Sequence, residues 1–276
     1  MVSAADFKAI LRDQLSLSSW LALGAIVQGL LFLVLGRVAL ILPITLVGWR
    51  VLDAFLQAQG LKPNPHMEGV IKNKFSAQFP SEDGQYGNKP ANGEVCVLLL
   101  GFKSNHPMQM LAPGFKETGD HFNNMMVELQ AHKEENGLLG TTSWIGLGER
   151  TTANEVMTTF YFRSLEDVHN FANGKVHRDG WNWWNKNVHK HPHLTIWHEV
   201  FRATSGNWES IYVNSPPTSL SATAFKGISE ETGEEVWHSP IVDARKGLLK
   251  TSAGRMSRSQ GDEHDKYNDD PYGNYA

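Results

Sequence analysis

The 276-residue chain has a single cysteine, Cys96, so no disulfide can form within it. Cys96 lies inside the apolar run EVCVLLLGF, a buried-strand setting and not that of a nucleophile, and its isolation favours a reducing compartment. Basic residues number 25 against 29 acidic, a net charge of −4, which excludes the polybasic footprint of a nucleic-acid binder. No G-x-G-x-x-G, P-loop, G-x-S-x-G or H-E-x-x-H string occurs. Nucleotide cofactors, serine hydrolysis and zincin chemistry therefore lose their support. Charge is scarce in one further place: across residues 14–49 only Arg37 carries any.

That apolar stretch divides into 15–36, long enough to cross a hydrocarbon core of about 30 Å, and 38–49, which is marginal. The second part extends toward Leu56 through an amphipathic end bearing Arg50 and Asp53, and Pro43 is expected to kink it. A cleavable signal is a poor match, because its apolar region spans only about 7–15 residues. Two arrangements fit: a helical hairpin turning at Gly36 and Arg37, or one span followed by an interfacial helix. Lys8 and Arg12 precede the stretch, and Arg50, Lys62, Lys72 and Lys74 follow it. Positive charge on both flanks favours both ends in the cytosol, hence the hairpin. Residues 1–56 are read as this membrane anchor.

Residues 57–92 read as a connector, with PNP at 63–65 and SEDGQYGNKPANG at 81–93 rich in turn formers. Periodicity then becomes regular. A buried strand at 95–102 precedes a helix whose stripe is Phe122, Met125, Met126 and Leu129. Strands follow at 138–147 and 156–162. The SLED string at 164–167 then caps a second helix with a face of Leu165, Val168, His169 and Ala172. A broken helical region leads to a strand at 194–202, and 208–213 is expected as an extra edge strand. The result is an α+β, ferredoxin-like βαββαβ domain over 93–228. Along the last strand, Leu194, Ile196, His198 and Val200 face one way and Thr195, Trp197, Glu199 and Phe201 the other. Neither set is polar, so both sheet faces should be covered. A second copy is the simplest cover, giving a dimeric α/β barrel. Residues 229–276 are poor in apolar residues and read as a disordered tail.

Residues 176–201 hold five of the 12 histidines and four of the 9 tryptophans. Imidazole titrates near neutrality and indole supplies flat apolar walls, a combination suited to binding an aromatic molecule and moving a proton on it. His177 and His198 are candidate bases, with Glu199 as a carboxylate that would need a partner if buried. Trp144, Tyr161, Trp181, Trp184 and Trp197 are candidate substrate-binding side chains. His189, His191 and His193 alternate in a metal-like string. No acidic or cysteine ligand lies near them, so no metal is expected. His189 and His191 are read as solvated, and His169 as packing.

The strings HRDGWNWWN, HPHLTIWHEVF and GNWESIYVNSPPTSL, behind an apolar hairpin, resemble a fungal monooxygenase-like family whose namesake lies in the fumagillin biosynthetic cluster. The resemblance spans roughly residues 60–225. It extends to antibiotic-biosynthesis monooxygenases, which form dimeric α/β barrels and oxidise polycyclic phenols or anthrones with O₂. It implies a homodimer acting on a hydrophobic small molecule with O₂ and no cofactor. Haem is the rival within the same fold, and a cyclase, an isomerase or a non-catalytic metabolite carrier are the further alternatives. It also implies a role in fungal secondary metabolism. With the hairpin, the expected location is the endoplasmic reticulum membrane, the catalytic domain facing the cytosol.

If residues 1–56 anchor the chain, carbonate extraction leaves the full-length protein in the membrane pellet, whereas a chain begun near Pro63 is released. Full-length protein in the supernatant would refute the anchor.

Overall fold

The computed structural model describes residue 12 and residues 14–80, 85–146, 155–229 and 232–259. Helix α1, Leu17–Leu35, starts where Ser16 Oγ accepts the Ser19 N–H at 3.2 Å. It stops at Gly36, whose φ of +58° glycine adopts without steric cost. The 3-10 turn Gly36–Leu40 folds back so that Gln28 Nε2 donates to Ala39 O at 3.0 Å, and Ala39 is buried. Helix α2 then runs over Ile41–Ala58. The break falls where the sequence puts it, but Pro43 does not kink α2. It stands in the first turn, where a backbone N–H has no helical acceptor to lose. Neither helix buries a residue, and Leu17–Ala58 is long and apolar enough to cross a membrane.

Strand β1, Ile71–Ala77, lies inside the stretch expected to be a connector, with Phe75, Ser76 and Ala77 buried. That expectation fails because alternation is weak in IKNKFSA: β1 packs on both sides, and even Lys74 is buried, donating to Lys250 O at 2.9 Å. The main sheet is built from β2 (Val95–Ser104), β3 (Leu138–Ile145), β4 (Val156–Phe162) and β5 (Leu194–Ala203). Its order is β3-β4-β2-β5 and every pair is antiparallel. Helix α3 (Phe115–Ala131) joins β2 to β3, while α4 (Leu165–Asn173) and α5 (Lys175–Asn187) join β4 to β5. Ser164 caps α4 by accepting the Asp167 N–H at 3.1 Å.

One sheet face carries the helices. There Cys96, Phe160 and Phe162 meet Leu129 of α3, Val168 of α4 and Leu138. The opposite face is half covered by the chain itself. Val95, Val97, Tyr161 and Ala203 pack beneath Ala77, Phe79, Ala91, Trp208 and Leu220. Gly140 makes this approach possible, since a Cβ there would stand 3.1 Å from the Thr223 Cα. Elsewhere on the same face Trp144, on the edge strand β3, and Phe201, on the edge strand β5, are exposed. Cover by a second copy alone is thus corrected: part of the cover is intramolecular.

Strand β6 (Tyr212–Ser215) does not extend the main sheet as an edge strand. It pairs with β1 in a second sheet ordered β6-β1-β9. β7 (Phe225–Ile228) and β8 (Glu235–His238) form a hairpin, followed by β9 (Ile241–Asp243) and the single turn α6 (Ser252–Arg255). The expected tail is therefore structured over 232–259, while residues 260–276 lie outside the described residues. Apolar content is low there because polar anchors hold it. Buried Arg255 pairs with Glu209 and donates to Leu249 O at 3.0 Å and Lys250 O at 3.3 Å.

Candidate active site

The space between sheet and helices is packed at the Cys96–Phe162 end and open at the other. A cavity of about 520 Å³ lies there. Its floor is the helix-facing set of β2 and β5: Leu98, Leu100 and Phe102 beside Val200, His198 and Ile196, their registered partners. One wall is α3, with Thr118, His121, Phe122, Met125 and Met126. The other is α4 and α5, with His169, Phe171, Ala172, His177, Trp181, Trp183 and Trp184. The walls come together at Gly180, which is buried; a Cβ there would make ordinary contact with Met125 at 3.6 Å and His121 at 3.7 Å.

His177, in the first turn of α5, is half-buried, its ring edge-on to Phe171 at 5.8 Å. Its Nδ1 is buried with no hydrogen-bond partner among the described residues. Burial pulls its pKa below the ordinary 6.5, the Ala172 carbonyl opposes that, and the nearby His198 lowers it further. The imidazole thus favours its neutral form and lines an apolar cavity, its Nδ1 enclosed by protein. His198 lines the floor from β5 and is exposed in this chain.

Of the residues singled out in the sequence, the cavity gathers His177, His198, Trp181 and Trp184. It does not gather Glu199, Trp144, Tyr161 or Trp197, because strand pleating sends them to the other face. Glu199 is exposed there and needs no partner. Tyr161 is packed into the second core; burial raises its hydroxyl pKa while a hydrogen bond with Ser219 acts against that. Trp197 lies across Gly101, so that a Cβ at 101 would be 2.1 Å from the indole, and its Nε1 donates to Glu155 Oε1 at 3.1 Å. Burial also raises the Cys96 thiol pKa, in keeping with an inert strand position.

Three wall residues escaped sequence reasoning: His121, Trp183 and His169, the last read as packing. His121 precedes Met125 by one helical turn and so shares the stripe already recognised, a signal that was present. Of the alternating histidines, His191 and His193 stay together, ring edge to ring at 5.9 Å between centres, and His189 stands apart. His189 is exposed, and His191 stacks on Trp183 at 6.2 Å with its ring against Gly114. His193 Nε2 hydrogen-bonds Pro113 O at 2.9 Å. Among the described residues no group of three His, Cys, Asp or Glu side chains is placed to hold a metal.

Residues 95–220 match the model of the Monooxygenase af470-like family. Monooxygenase af470 of Aspergillus fumigatus is 32% identical over 259 residues, 93% of each chain. The chain belongs to this family and is a monooxygenase-like enzyme. Among solved structures, an aldoxime dehydratase is 12% identical with a TM-score of 0.39, covering 54% of this chain and 43% of that one. A cofactor-independent oxygenase from Streptomyces nogalater is 15% identical with a TM-score of 0.26, covering 38% of this chain and 90% of its own. Likenesses this remote carry no information on chemistry.

The environment of His177 makes a directional prediction. In an NMR titration of the histidine ring protons, His177 titrates below 6.5 and is neutral at pH 7. A midpoint at or above 6.5 would contradict the enclosure described.

Proposed function

From membership of that family, we propose that the chain is a membrane-anchored tailoring oxygenase of fungal secondary metabolism. Its substrate is an apolar aromatic or polyketide–terpenoid intermediate. The observation that carries this reading is His177: an imidazole biased toward its neutral form at the wall of an aromatic-lined cavity of about 520 Å³. Pockets for small organic ligands occupy about 300–1,000 Å³ and are mostly apolar.

His177 takes a proton from an acidic C–H or O–H of the bound substrate. The resulting delocalised anion gives one electron to O₂, and superoxide and substrate radical combine into a peroxide anion. His177 returns the proton, forming a hydroperoxide. At a methylene carbon, loss of water then leaves a carbonyl, with one oxygen atom in the product and the other in water. No external reductant is required. Trp183 and Trp184 flank the reacting rings, and exclusion of water strengthens each polar contact made in the transition state. This reading needs no organic cofactor. The rival is haem, which His177 would hold, and a Soret band in the purified protein would replace the base assignment.

The deciding experiment feeds purified protein with the intermediate that accumulates in a deletion strain. His177→Ala lowers kcat by about 10²-fold or more, the scale of a lost general base. The acid limb of kcat/KM for the unaltered enzyme lies below 6.5, following the depressed pKa. His189→Ala is the control, since His189 is exposed; His191 is unsuitable because it packs on Trp183. An active His177→Ala enzyme would overturn the assignment.

The catalytic unit is proposed to be a homodimer at the cytosolic face of the endoplasmic reticulum. Support comes from apolar side chains left open on the second sheet face: Trp144 is 45% exposed on the edge strand β3 and Phe201 53% exposed on the edge strand β5. Light scattering on detergent-solubilised protein gives twice the protein mass of one chain. A stable monomer at micromolar concentration would mean that intramolecular cover is sufficient.

A further inference from the structure

We infer that the segment 106–112 rests on the bilayer surface beside α1, as a second contact between this protein and lipid headgroups. The inference builds on the reading of α1 and α2 as membrane helices.

Two hydrogen bonds fix the segment to the root of α1. Gln14 Nε2 donates to Met108 O at 2.8 Å, and the Met110 N–H donates to Gln14 Oε1 at 3.3 Å. Depth is set by an indole. Trp20 stands in the first turn of α1, at the end of the apolar helix. Such aromatic side chains collect at the headgroup level. Trp20 Nε1 donates to Arg12 O at 2.8 Å, which brings the backbone just before Gln14 to the level of that indole. Gln14 in turn holds 108–110 at the same level.

The segment's own polarity is the reverse of what water selects. Gln109 is buried, while Met108 is 53% and Leu111 67% exposed. The inversion is built in: Gln109 holds a φ of +49°, a conformation that residues other than glycine rarely adopt. A turn that keeps its amide side chain inside and two large apolar side chains outside suits a lipid interface. It also leads into the pocket. Phe115, which opens α3, packs against Phe102 of the cavity floor at 4.8 Å between ring centres. The Phe102–Ile196 end of the cavity is thereby brought toward the membrane, where an apolar substrate would be dissolved.

The test uses the full chain in phosphatidylcholine vesicles, with an environment-sensitive fluorophore on one introduced thiol. Native Cys96 is fully buried and does not compete for label. Leu111→Cys and Met108→Cys report the segment, Glu135→Cys the exposed far end beyond α3, and Leu31→Cys the interior of α1. Lipids spin-labelled at the headgroup should remove most emission from positions 108 and 111 and leave position 135 bright. Lipids spin-labelled deep in the chain should quench position 31. Quenching at 31 with 108 and 111 as bright as 135 would overturn this inference alone. No quenching at 31 would overturn the anchor reading and this inference with it.

Discussion

The approach of α5 to α3 at Gly180 shapes the half of the molecule that holds the cavity. With hydrogen in place of a side chain, the two helices lean on each other through Met125 and His121. They meet above the sheet and do not settle onto it. Interiors are normally packed to crystal density, so a void of about 520 Å³ must be held open by a frame. Here the frame is the α3–α5 contact at one end and the Cys96–Leu129–Phe162 core at the other. His177 follows from the same geometry. One turn before Gly180, its ring is placed at the cavity wall, and its loss of hydration favours the neutral form. A branched side chain at 180 would wedge the helices apart, admit water and undo that neutrality.

Much of this arrangement was legible in the sequence, for physical reasons that can be located. The strand at 156–162 was readable to the residue, because VMTTFYF is β-branched and aromatic between a turn and a capping serine. The Phe122–Met126 stripe announced α3, although the helix starts earlier, at Phe115. His177 and His198 share a cavity because one follows a helix cap and the other sits on the helix-facing side of β5. Glu199 and Trp197 were kept as site candidates although the alternation already set them on the face opposite His198, and the pleated strand leaves them there. Tyr161 lies on that same opposite face, in the second core.

The illegible parts share another property: they are held by partners far away in the chain. β1 carries no clear alternation, and its burial depends on β6, β9 and the Lys250 carbonyl. The 232–259 segment has the composition of a tail, but Arg255 is enclosed by Glu209 and two carbonyls. Local composition cannot reveal a stabilisation that arises from such contacts. The misread cover of the second face follows directly, since the segments covering Val97 and Tyr161 were those taken to be without structure.

The pairing of β1 also constrains how the protein is made. This strand leaves the ribosome directly after the apolar helices, yet its two partners, β6 and β9, are near the end of the chain. Such non-local pairing is slow, because the intervening loop must close before any contact is gained. β1 therefore waits, with its edges unpaired, while the main sheet is synthesised and folded. Assembly finishes from the carboxyl end, when β9 and the Arg255 turn close over a strand made long before them.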